Sequence, residues 1–217
     1  MTLIDLSHTI SDGMVTFPGL PGPIITDHIS REESAAHYSD GTTFQIGRID
    51  MVANTGTYLD VPNHRHDGMA DLAEVPIDQL ANLSAVVVDA TAWEAQIPAS
   101  VFQNAQGASD GALLIRTDWS RRWGTDAYLS GHPFVGPEGL AAILDIGPRL
   151  VGIDSLNIDR MDDGTRPAHT ELLAAGVLIV EHLTNLDLLP PGGFTFSAAP
   201  PKVTGMGTFP VRAYAAV

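Results

Sequence analysis

The feature that most constrains the fold of this chain is a series of short apolar runs, each four or five residues long: Leu3 to Leu6, Ala85 to Val88, Ala112 to Arg116, Leu150 to Ile153, Val177 to Val180, Phe194 to Ala198 and Val211 to Ala215. Runs of this length, rich in Val, Ile and Leu, suit strands and are too short for packed helices. A longer alternating stretch, Thr42 to Val52, carries Phe44 and Ile46 on one parity and Ile49 and Met51 on the other. The change falls beside Gly47, as it would in a bulged, bent strand leading to Asn54. Helical signals are fewer. Pro137 can occupy a first helical position ahead of Leu140, Ile143 and Leu144, and His169 to Ala175 reads as a shorter helix closed by Gly176. A weaker signal lies at Pro98 to Asn104. Strands that alternate irregularly with few helices predict a mixed α/β domain with a mixed sheet, not a doubly wound one.

No composition break, linker or repeat divides the 217 residues, so the chain reads as a single domain, 1–217. Residues 1–40, punctuated by Asp12-Gly13, Phe17-Pro18-Gly19 and Pro21-Gly22-Pro23, read as a surface arm. Acidic residues number 26 against 11 Lys plus Arg, and the net charge of −15 repels nucleic acid and anionic lipid. Lys202 is the sole lysine and no Gly-Lys-Ser/Thr occurs, which excludes a Walker A loop. With no cysteine, disulfides, thiol nucleophiles and thiolate metal sites are excluded, and any metal must rely on His, carboxylate, Asn or Tyr ligands. No Lys or Arg precedes Arg31, and no apolar run approaches the ~20 residues of a membrane span, so a cytoplasmic protein without a membrane partner is expected.

The densest polar cluster is Asn54-Thr55-Gly56-Thr57-Tyr58-Leu59-Asp60-Val61-Pro62-Asn63-His64-Arg65-His66-Asp67, read as a constrained loop at the end of the bent strand. Asp60 can offer a carboxylate to a metal or a positive base, and His64 can move protons near neutral pH. Equally, Asp60 can cap a turn and His64 can pack. His169 and Glu181 form a second cluster. A helix of seven residues from His169 rises about 10 Å, and after Gly176 a strand returns about 13 Å, which sets Glu181 beside the helix start. A carboxylate ending the run Val177 to Val180 needs a partner, either Arg166 or a metal shared with Asp60. Gly107-Ala108-Ser109-Asp110-Gly111 matches a nucleophile-elbow pattern but precedes a strand instead of following one. Trp93, Trp119 and Trp123 read as packing or rim residues. His8, His28, His37, His132 and His182 have no ligand-like spacing, and His66 reads as a solvated neighbour of His64.

Together, Ile4-Asp5-Leu6-Ser7-His8, Gly13-Met14, Phe17-Pro18-Gly19, Gly56-Thr57-x-x-Asp60-x-Pro62-x-His64, Gly152-Ile153-Asp154-Ser155 and His169-x-x-Leu172-Leu173 followed by Glu181 resemble the cyclase family that includes bacterial kynurenine formamidase and isatin hydrolase. The resemblance runs from residue 4 to beyond residue 190. It implies a swivelling β/β/α domain, in homodimers or homotetramers, that hydrolyses amides of small aromatic molecules with zinc or manganese. By the same resemblance, Asp60, His169 and Glu181 match metal ligands and His64 the catalytic histidine. Asn54 and Tyr58 stand where the motif H-x-G-T-H-x-D-x-P-x-H has its two histidines, and Leu20 stands where relatives often carry Asp, which implies a more apolar pocket mouth.

Losing two imidazoles leaves one histidine and two carboxylates, a harder set suited to Mn²⁺, Fe²⁺ or Mg²⁺ as well as zinc. The leading reading is therefore a hydrolase of a small amide, lactam or lactone. In it Asp60, His169 and Glu181 hold a single metal, His64 passes the proton, Tyr58 donates to the developing oxyanion, and Asn54 and Phe17 bind substrate. Two alternatives stay open. One is a metal-free acid–base enzyme, a dehydratase, isomerase or cyclase, that uses Tyr58, Asp60, His64 and Glu181. The other is a non-catalytic ligand-binding protein.

Overall fold

The computed structural model describes residues 1–39 and 41–217, so Asp40, at the end of the expected arm, lies outside the described residues. Nine strands form one mixed sheet in the order Leu3–Asp5, Tyr214–Ala216, Gly192–Ser197, Leu83–Asp89, Ala112–Arg116, Leu150–Ile153, Leu178–Glu181, Tyr58–Asp60, Thr208–Pro210. The four strands from Leu83–Asp89 to Leu178–Glu181 run parallel, and the flanking strands pair antiparallel. Parallel strands are stable when both faces are covered, which explains why these runs are continuously apolar. Successive residues divide between two cores: Ala112, Leu114, Leu178 and Val180 pack on one face, Leu113, Ile115, Val151 and Ile179 on the other. The second face is covered by helices Pro137–Ile146 and Pro167–Ala174, through Leu140, Ile143, Leu172 and Leu173.

Most apolar runs become strands within two residues of their expected limits. The segment Val211 to Ala215 instead is strand only at Tyr214 and Ala215, within Tyr214–Ala216, and Val211 to Ala213 connect it to Thr208–Pro210 at the far edge of the sheet. Pro210 donates no ladder hydrogen bond, which suits the strand at the sheet edge. Tyr58–Asp60, expected within a loop, is a fully buried strand between Leu178–Glu181 and Thr208–Pro210. Its two neighbours are 118 or more residues away in sequence, so no local pattern marks it. The stretch expected as a bent strand over Thr42 to Val52 pairs only over Ile46–Asp50, with Ile24–Ile29, as a separate ribbon. The irregularity falls at Gly47, but the extra residue, His28, is on the partner strand. The arm thus contains Leu3–Asp5 in the main sheet, Ile24–Ile29 in the ribbon, and helix Arg31–Ala35, started by a capping box between Ser30 and Glu33. The weak helix near Pro98 is a 3₁₀ turn, Ala99–Phe102. Among the described residues no helix is long and apolar enough to cross a membrane.

Candidate active site

Cross-strand register decides which side chains meet. Tyr58 lies opposite Glu181, and Asp60 lies between Ile179 and Thr208. Opposed residues share a sheet face, so Tyr58, Asp60, Glu181 and Thr208 all emerge on the helix-covered side, where Ile179 packs. Helix Pro167–Ala174 delivers His169 to the same point, two residues into the helix. The turn Pro62–His64 leaves the strand end and sets His64 at the margin. Gly207 makes that approach possible: a Cβ there would lie 2.4 Å from the backbone N and Cα of His64. The site sits at the carboxyl end of the parallel strands, beside the loop that follows Leu150–Ile153, the usual position for ligands in such sheets.

His169 Nε2 lies 3.7 Å from Asp60 Oδ2 and 3.6 Å from Glu181 Oε1. Its Nδ1 is 2.7 Å from Asp159 Oδ2, which also accepts from the backbone N–H of His169. An ionised carboxylate only accepts, so Nδ1 carries the hydrogen and Nε2 faces the two other carboxylates. Burial alone would lower the His169 pKa, but Glu181, Asp159 and Asp60 together raise it to about 10. Burial, reinforced by the Asp60 charge, pushes Glu181 up to about 7 against the opposing pull of His169. For Asp60, burial pushes upward, and the contacts with His169, His64 and Thr208 outweigh it, leaving the carboxyl below its ordinary value.

Asp60 Oδ2 is buried without a hydrogen-bond partner. A charged oxygen in that state is costly unless a cation meets it. Ligands about 2.1 Å from a tetrahedral ion are separated by about 3.4 Å, close to the two distances from His169 Nε2. A carboxylate behind a ligating imidazole, as Asp159 is here, is the usual support of a metal-bound histidine. Asp60 Oδ2 and His169 Nε2 therefore suit a divalent cation, with Glu181 Oε1 beside the imidazole. Among the described residues, the three side chains whose ligand atoms all lie within 4.8 Å of one another are Asp60, His64 and His169, so His64 stands where a third donor would, while Glu181 reaches the group through His169 Nε2.

Thr208 Oγ1 donates to Asp60 Oδ1 and lies 2.7 Å from His64 Nδ1. Its single hydrogen is spent on the carboxylate, so it must accept from His64 Nδ1–H, and the His64 lone pair sits on Nε2. Tyr58 donates to Glu181 Oε2 at 2.7 Å, and its hydroxyl lies 3.3 Å from His182 Nε2. His182 Nδ1 is 2.7 Å from the Tyr128 hydroxyl. Burial lowers the His182 pKa to about 3, so the ring is neutral. One consistent chain of donors follows: Tyr128 to His182, His182 to Tyr58, Tyr58 to Glu181. The Tyr58 hydrogen expected for an oxyanion is thus held by Glu181, and burial followed by the Glu181 and Asp60 charges drives the phenol pKa far up.

A cavity of about 270 Å³ opens over these groups. Phe17, Asn54, Tyr58, His64, His169 and Glu181, each expected at the site, all line it, as does Leu20. Asp60 lies beneath, fully buried. Arg166, a candidate partner for Glu181, instead binds Asn157 Oδ1 at 3.3 Å, and Glu181 is met by Tyr58, Asn157 and the Ile158 N–H. His66 is tied to the Thr170 carbonyl at 2.9 Å, not merely solvated. Asp159, Thr208 and His182 were not anticipated as site residues. Each acts through a ligand or a candidate catalytic group that the chain brings from elsewhere, so spacing carries no signal for them.

Carboxylates and histidine gathered at the carboxyl edge of a mixed sheet make a metal-capable site in an α/β protein, and comparisons with known proteins supply its family. The Cyclase family model matches residues 4–160, and the chain belongs to the cyclase family. It is 29% identical over 214 residues to the kynurenine formamidase of Salinibacter ruber (strain DSM 13855 / M31), covering 98% of this chain and 96% of that protein. Isatin hydrolase A from Labrenzia aggregata superposes with a TM-score of 0.84 at 24% identity, over 99% of this chain and 93% of that one. A predicted metal-dependent hydrolase from Bacillus stearothermophilus does so with a TM-score of 0.77 at 28% identity, over 99% and 97%. Matched over almost its whole length to the kynurenine formamidase, the chain is a hydrolytic enzyme.

Proposed function

We propose that this chain hydrolyses a small amide, lactam or lactone of an aromatic molecule, with Asp60, His169 and Glu181 holding one divalent metal and His64 moving the proton. The observation that carries this reading is His169 Nε2 set between the unpartnered, buried Asp60 Oδ2 and Glu181 Oε1. Mn²⁺ or Zn²⁺ is the proposed occupant ahead of Fe²⁺ or Mg²⁺, since imidazole suits Zn²⁺ and carboxylates suit Mn²⁺. A divalent cation bound there supplies a Lewis acid that polarises a carbonyl and lowers the pKa of water.

The protein groups do the rest. His64 presents Nε2 with a free lone pair, so it can take a proton from the attacking water and return it to the leaving nitrogen or oxygen. Thr208 holds that ring in orientation, Asp159 does the same for His169, and Tyr58 with Asn157 holds Glu181. Phe17 and Leu20 give the cavity an apolar side for an aromatic ring, and Asn54 offers an amide for orienting it. The exposed ribbon Ile24–Ile29 with Ile46–Asp50 is the surface by which copies of the chain would assemble into a homodimer or homotetramer.

Elemental mass spectrometry on protein purified without chelator tests the reading, together with turnover of an aryl formamide. About one transition metal per chain, lost in His169→Ala and Glu181→Gln along with turnover, is the expected result. A second reading, acid–base chemistry without metal, is favoured by one observation: Glu181 is raised to about 7, chiefly by burial, and so can hold a proton near neutrality. Turnover that survives exhaustive chelation would select it.

A further inference from the structure

We propose that Arg65 and Arg166 form an anion subsite on the rim of the cavity, which selects substrates bearing a carboxylate on the same small aromatic molecule as the bond to be cleaved. For the cleaved bond this rests on the hydrolase reading. For binding it rests on the two arginines alone.

Both arginines line the cavity. Arg65 donates from Nε to Thr170 Oγ1 at 3.0 Å and from Nη2 to the Thr165 carbonyl at 2.8 Å. Arg166 donates from Nη1 to Asn157 Oδ1 and to the Arg160 carbonyl, both at 3.3 Å, and its Nη2 touches only the sulfur of Met161, at 3.8 Å. Every oxygen acceptor is neutral. Among the described residues, neither arginine has a carboxylate oxygen within 4.0 Å, whereas Arg116, Arg121, Arg149, Arg160 and Arg212 each do. Asp163 feels the Arg166 charge, but its Oδ1 is taken by the N–H and hydroxyl of Thr165.

Among the described residues, Arg31, Arg48 and Arg122 also lack a carboxylate within 4.0 Å, but of these five arginines only Arg65 and Arg166 line the cavity, so two uncompensated positive charges share one rim. Thr170 joins them, since its hydroxyl accepts from Arg65 Nε and donates to the Arg166 carbonyl at 2.8 Å. The anchoring bonds use only part of each fork of five N–H donors and hold the rest in fixed orientation, the arrangement that recognises a carboxylate by paired hydrogen bonds. Phe17 and Leu20 add no acidic group of their own to the lining. A planar molecule can therefore set its ring against Phe17, its carboxylate on the arginines and its amide or ester carbonyl toward His169.

The test is equilibrium binding of benzoate and of neutral, isosteric benzamide to the metal-containing protein, by titration calorimetry, for wild type, R65Q, R166Q and the double variant. Wild type should prefer benzoate by at least about tenfold, as charge-assisted paired hydrogen bonds allow. That preference should fall in each single variant, nearly vanish in the double variant, and weaken with added salt. Equal affinity for the two probes in wild type would overturn the proposal, as would a preference unchanged in the double variant. R65Q alters an exposed side chain, so it remains informative if the double variant fails to fold. A benzoate preference that depends on the arginines, in a protein that turns over no amide or ester, would remove the hydrolase reading and leave the subsite standing. Turnover of aryl amides without any benzoate preference would do the reverse.

Discussion

At the scale of single residues, one hydroxyl organises both halves of the candidate site. Thr208 supplies the hydrogen that Asp60 Oδ1 accepts and the oxygen that fixes His64 by its Nδ1. Thr208→Val removes both, leaving a buried carboxylate oxygen unsatisfied at a cost of about 1–3 kcal/mol. Urea unfolding should record that loss, and turnover should fall with it, while Thr208→Ser restores both. If the Val variant matches wild type in both assays, His64 is not held in this way. Gly207→Ala acts from the opposite side. Its Cβ would overlap the His64 backbone, so the turn must move, and kcat should drop by about tenfold or more for a displacement near 1 Å. His64→Ala should abolish turnover while Asp60, His169 and Glu181 retain the metal, which elemental analysis can separate from simple loss of the site.

At the scale of elements, the ribbon is the least self-sufficient part of the fold. Ile24–Ile29 and Ile46–Asp50 pair with one another and, among the described strands, with nothing else. Two strands alone are marginal in water. Ile24, Ile25, Ile46 and Ile49 are all exposed, and Ile25 faces Ile49 across the ribbon. A twofold copy seated on the face that carries Ile25 and Ile49 would cover that pair. Wild-type protein should therefore sediment as an assembly at micromolar concentration, and Ile25→Asp combined with Ile49→Asp should shift it to monomer. A monomeric wild type would instead leave the ribbon to some other cover. Helix Pro167–Ala174 illustrates what local reading achieves: its position, its stop at Gly176 and the return of the strand to Glu181 all follow from chain geometry. Tyr58–Asp60 was not legible, because three residues among Gly, Thr, Asn and Pro become a strand only when Leu178–Glu181 and Thr208–Pro210 flank them.

At the scale of the whole molecule, buried histidines set the response to acid. His8 stacks on Trp123 with ring centroids 4.0 Å apart, its Nε2 is buried without a partner, and burial lowers its pKa to about 4. Between the unfolded value of about 6.5 and that folded value, the unfolded chain binds a proton that the folded chain refuses. Stability contributed by neutral His8 is thus complete above pH 6.5 and lost as pH falls toward 4, at up to about 1.4 kcal/mol per pH unit. Asp154, raised to about 6 by burial, works in the opposite sense, so the comparison must be between variants. His8→Phe keeps the stacked ring and removes the titration. Urea unfolding at pH 7 and pH 5 should show a smaller loss than wild type; equal losses would mean His8 is protonated in the fold. The mixed α/β class is legible in the sequence, because apolar runs this short suit strands and covered parallel strands need such runs. The sequence by itself also determined which chemical groups are present, including Asn54 and Tyr58 in place of imidazoles. Tertiary structure alone decided that Tyr58 donates to Glu181, that Thr208 bridges Asp60 and His64, and that Arg65 and Arg166 share a rim. Those contacts join residues from 101 to 148 positions apart, and register across strands, which no local periodicity encodes, is what brings the sheet-borne groups together.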